Sequence, residues 1–65
     1  MVNKIDVKFK VESALQNNQT VTIHTIKSSY VVTKVKNEGY LTLGIETSKG
    51  EVTIIKDKID SITYN

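Results

Sequence analysis

The chain has 65 residues, a formal charge of +2, one histidine, and neither cysteine nor proline. That is one domain, residues 1–65, burying only roughly 60% of the surface its unfolded form exposes; disulfides and thiolate metal sites are excluded, so self-association is the expected aid to stability. All nine basic residues are lysine, and the missing arginine fork argues against bidentate, sequence-specific readout of nucleic acid.

Ile5, Val7, Phe9 and Val11 alternate with charged residues, which predicts a strand over residues 4–12. A helix would gather Val7, Val11, Ala14 and Leu15 on one face and leave Ile5 and Phe9 outside it. Residues 13–18 read as a turn or one helical turn, since asparagine tolerates left-handed backbone. Residues 20–27 form the next strand, with Val21 and Ile23 on one face and His24 and Ile26 on the other. Ser28-Ser29 is a polar turn before a β-branched strand over 30–36, and Asn37-Glu38-Gly39 a tight turn before a strand over 40–47. There Leu41, Leu43 and Ile45 alternate with Thr42, Gly44 and Glu46. Ser48-Lys49-Gly50 interrupts the pattern and Val52 and Ile54 resume it, the signature of a hairpin with one buried face. Strands over 51–56 and 59–64 complete the chain. Connections of two to five residues suit antiparallel neighbours.

The fold class is therefore all-β with at most one short helix: an antiparallel meander of five to six strands forming a small SH3- or Sm-like barrel. Its expected core is Phe9, Val21, Ile23, Val31, Val35, Leu41, Leu43, Ile45, Val52, Ile54 and Ile62. Ile26, Val32 and Ile55 fall on the opposite face, where a wet surface has no use for them. They point to a barrel closed on itself, or to a face covered by a partner, a second copy of the chain or another protein.

Charge is uneven. Residues 1–36 carry six lysines against two carboxylates, and residues 37–65 three lysines against five; the lysine-rich half suits an anionic partner. Lysines beside aromatic strand residues are how small β-domains hold single-stranded nucleic acid. Lys27, Lys34, Lys36 and Lys56 are the candidate phosphate contacts, and Tyr30 and Tyr40 the candidate stacking platforms. No catalytic constellation is present. His24 has no serine, cysteine or carboxylate at a diagnostic spacing. Asp57 and Asp60 lack calcium-loop spacing, and Ser48-Lys49-Gly50 lacks the glycine-rich lead-in of a phosphate loop. The expectation is a non-enzyme with no catalytic residue, metal or cofactor. No apolar run approaches the roughly 18 residues that span a bilayer. The start lacks a signal-peptide core, and the absence of cysteine fits the cytoplasm.

Residues 39–62 resemble the carbon storage regulator family of RNA-binding β-proteins. Leu43-Gly44-Ile45-Glu46, Lys49, Val52, Ile54, Lys56 and Ile59 follow that family's fourth strand and turn. Lys56 stands where the family has its key arginine, and Thr47-Ser48 where it has Ala-Pro. Residues 14–62 resemble the Sm-like (Hfq-like) family, which has an N-terminal helix before a five-strand bent barrel and assembles into rings. Ala14-Leu15 precede the first strand. Ile55-Lys56-Asp57 occupies that family's Tyr-Lys-His position, keeping the lysine, and Ile59 and Ile62 follow. Both resemblances imply an oligomeric binder of single-stranded RNA. The competing expectation is a small protein-binding module, an inhibitor or adaptor of the kind mobile elements encode, acting through a sheet edge or apolar face.

Overall fold

A computed structural model describes residues 7–65 of the chain. One helix, α1 (Val7–Gln16), precedes five strands: β1 (Val21–Thr25), β2 (Ser29–Glu38), β3 (Thr42–Thr47), β4 (Gly50–Ile55) and β5 (Ile59–Tyr64). A 3₁₀ turn, Lys56–Lys58, joins the last two. The strands form one antiparallel sheet in the order β4-β3-β2-β1-β5. The sheet is not closed into a barrel: β4 and β5 are its two edges. That corrects the expectation of closure.

The strand expected over 4–12 is a helix from Val7 onward, and its first three residues lie outside the described residues. Val7, Val11 and Ala14 are buried against the sheet, and Leu15 packs beside them. Phe9 is 73% exposed, so it leaves the expected core. A ten-residue helix is marginal alone, and tertiary packing of its apolar stripe decides between the two periods. Its end is a Schellman motif. Asn18 adopts φ 61°, its N–H donates to the Leu15 carbonyl at 3.1 Å, and the Gln19 N–H donates to the Ala14 carbonyl at 2.9 Å.

On β1, Val21 and Ile23 are fully buried, as read from the alternation. The register sets Val21 opposite Val32 and Ile23 opposite Tyr30, so Val32 and Tyr30 share the core side and Val31 faces out. Val32 is 2% exposed and Val31 48%. The two assignments are thus interchanged, and Val32 belongs to the core and cannot contact a partner. Val35 is nonetheless also buried, three residues on. A register shift between Val32 and Lys34 restores its facing, since an extra bulge residue moves the alternation by one. Leu43, Ile45 and Ile54 are buried, with Val52 and Ile62 packed against them. Leu41 precedes β3, stays 48% exposed, and contributes its carbonyl to the Lys56 N–H at 2.8 Å.

Candidate binding groove

The β1–β2 connection is tight. The Thr25 hydroxyl donates to the Ser28 carbonyl at 2.8 Å and accepts the Ser28 N–H at 3.1 Å. Ile26 and Lys27 are left at the tip, with Ile26 85% exposed. Across a gap from this tip lies the end of β4. Thr25, Ile26, Lys27 and Tyr30 line one side of the resulting groove, and Thr53, Ile54, Ile55 and Lys58 the other; its volume is about 340 Å³. The lining is mainly apolar, carries two lysines and contains no carboxylate.

Ile26, Lys27, Tyr30 and Ile55 are thus brought together. The other candidates are not. Lys34 lines a separate, shallower groove of about 250 Å³ with Glu12, Leu15 and Gln16 of α1. Lys36 reaches Glu46 at 3.3 Å and Glu51 at 3.7 Å. The hydrogen bond to Glu46, with the attraction of both carboxylates, raises its ammonium above the ordinary lysine range. Tyr40 is 80% exposed beyond the far end of β2, roughly 25 Å of strand away from Tyr30. The six residues expected to hold RNA therefore do not form one surface.

Lys56 departs most from its expected role. Its side chain is 4% exposed and its Nζ lies 2.7 Å from Glu38 Oε2. The same oxygen accepts the Lys8 N–H, in the first turn of α1, at 3.4 Å. A helix N-terminus presents free N–H groups and a positive dipole end. Glu38 thereby ties the end of β2 to both α1 and the 3₁₀ turn. Hydropathy gives no signal for this, because nothing local marks a lysine between Ile55 and Asp57 as buried.

His24 is hydrogen-bonded at both ring nitrogens: Nδ1 with Ser29 Oγ and Nε2 with Thr63 Oγ1, each at 2.8 Å. The serine comes across the β1–β2 register, a partner that sequence spacing does not reveal. The third member is a hydroxyl, where nucleophile-activating triads place a carboxylate, and neither groove includes any of the three residues. Among the described residues no cluster of three or more His, Asp or Glu is placed to hold a metal ion.

Lys58, Thr53 and Thr25 complete the groove, and sequence reasoning missed them. Their signal is topological, requiring the curl that sets the β4 end opposite the β1–β2 tip. Comparison with known proteins returned no matching family model, curated protein or solved structure.

Proposed function

We propose that this chain is a non-enzymatic binding module that takes an extended segment of another protein along the free edge of β4, with side chains entering the adjacent groove. One observation carries this reading. Thr53, Ile54 and Ile55 are consecutive, yet all three line the groove. Successive strand residues point to opposite faces, so a cavity reached by three in a row lies on the strand's edge. β4 is an edge strand paired with β3 alone among the described strands, so its remaining backbone groups lie on that side. Strand addition supplies affinity through main-chain hydrogen bonds and selectivity through side-chain pockets.

RNA binding draws less support. Lys56 is buried in an ion pair and Lys36 is held by two carboxylates. The helix followed by five strands is in keeping with the Sm-like layout and with the self-association it implies, for which the two strand edges offer surface.

Selection from a displayed random-peptide library against the full chain tests the reading. Ligands should emerge whose binding is lost in Ile55→Asp, because Ile55 is half-exposed at the groove and an aspartate there leaves the core intact. Tight binding of an unstructured RNA oligonucleotide in low salt, with no peptide ligand recovered, would replace it.

A further inference from the structure

Building on the edge-pairing reading, we propose that the groove selects an acidic–apolar segment: an extended peptide that places an apolar side chain between Ile26 and Ile55 and an aspartate or glutamate within reach of Lys27 and Lys58. The occupant meets the main chain of β4 first, so it is extended. Its side chains then meet Ile26, Tyr30 and Ile55, which define an apolar slot open to solvent. The slot is flanked by ammonium groups from two separate elements, Lys27 on the β1–β2 tip and Lys58 on the 3₁₀ turn.

These two lysines differ from Lys36 and Lys56. Lys36 and Lys56 are matched to carboxylates of the same chain. Lys27 and Lys58 are exposed and enter no such ion pair among the described residues. Two positive charges with no ion pair among the described residues, around an apolar slot without a carboxylate, favour an anionic occupant and disfavour a cationic one. Lysine is a compact point charge on a flexible stem and suits single carboxylates. The apolar lining and the exposed strand edge favour peptide over nucleotide.

The experiment starts from a phage-displayed library of random dodecamers panned on the full-length chain. Enriched peptides are synthesised and titrated by fluorescence anisotropy at low and moderate salt. The expected result is enrichment of Asp or Glu beside alternating apolar residues. Binding should weaken with salt and fall roughly tenfold or more in the Lys27→Glu, Lys58→Glu double variant, whose melting temperature should match the parent's, as both sites are exposed. Enriched peptides without acidic bias, sensitive to Ile55→Asp but not to the lysine reversals, overturn this inference and leave the edge-pairing reading standing. Peptides insensitive to Ile55→Asp, or no enrichment, remove both. Two results would assign the groove elsewhere and also overturn the inference: an RNA oligonucleotide bound in place of any peptide, or a dimer dissolved by Ile55→Asp in a chain that selects no peptide.

Discussion

The Glu38–Lys56 pair offers a quantitative test of what holds α1 to the sheet. Glu38→Gln keeps size and one acceptor oxygen but removes the charge facing a side chain that is 4% exposed. Removing one partner of a buried ion pair costs about 3–5 kcal/mol, because the remaining charge stays in low dielectric. Glu38 retains 20% exposure and glutamine still accepts a hydrogen bond, so the expected cost falls at or just below the bottom of that range, about 2–3 kcal/mol. The whole fold of a 65-residue chain is worth only about 3–10 kcal/mol. In a domain this small each kcal/mol moves the melting temperature by about 4–8 °C, so a drop of about 8–24 °C is expected. Thermal and urea unfolding followed by circular dichroism measure it, with an unchanged urea slope showing that the two-state comparison holds. Lys56→Met should rescue the defect in the double variant, since a buried pair replaced by apolar groups is often neutral. A melting temperature for Glu38→Gln within about 2 °C of the parent would refute the account of Glu38 as the tie between β2, α1 and the 3₁₀ turn.

Leu43 is fully buried, so Leu43→Ala should cost about 2–5 kcal/mol and leave much of the chain unfolded at 37 °C, read by the loss of the far-ultraviolet strand signal. Asn18 is the αL residue of the helix cap. Asn18→Ala should cost about 1–2 kcal/mol and Asn18→Gly little or nothing in the same melts. Lys36 is raised by its hydrogen bond and ion pairs, and Tyr64 by burial. Both favour the protonated form in the folded state. Their contributions are therefore complete below the unfolded values and lost as pH rises through the folded ones. Melts should be level near neutrality and fall above about pH 10, and less steeply in a Lys36→Met, Tyr64→Phe double variant.

The strands are legible in the sequence because each carries its own signal. The β3–β4 hairpin has period-two apolar residues around Ser48-Lys49-Gly50, and Gly50 does adopt φ 127°, a conformation that favours glycine. The helix reads as a strand because Val7 and Val11 satisfy both periods. What separates them is whether Phe9 is buried, and that is settled by the sheet's capacity for one more stripe of side chains. The exchange of Val31 and Val32 has a similar origin. Five β-branched or lysine residues in a row, Val31 to Val35, read equally well in either parity. Only the pairing with β1 and the bulge before Lys34 fix which pair faces inward. Of the groove, the sequence marks Ile26 and Ile55 as apolar residues without a core to enter, and they are 85% and 50% exposed. It does not bring them together, because three strands and the two connections between them separate the pair along the chain. The ion pairs of Lys36 and Lys56 are invisible for the same reason.

The composition of β4 gives a physical reason for its edge to be covered. Native sheets blunt exposed edges with proline, with charged residues, lysine above all, or with bulges. Val52-Thr53-Ile54-Ile55 has none of these: no proline occurs in the chain, and β4 pairs with β3 in unbroken register from Thr42–Ile55 to Thr47–Gly50. Lys56 would be the natural gatekeeper at the end of this run, but its side chain is turned inward to Glu38. Within β4 the one charged residue is Glu51, at the far end, and Glu51 is partly neutralised by Lys36. A β-branched run with so little local charge invites another strand. On the proposed reading, Lys27 and Lys58 beside it supply selection, repelling cationic strands and admitting acidic ones. The lysines near this edge thus act in complementary ways. Burial of Lys56 leaves the edge without a gatekeeper, and in the proposed binding mode the exposed pair restricts what enters.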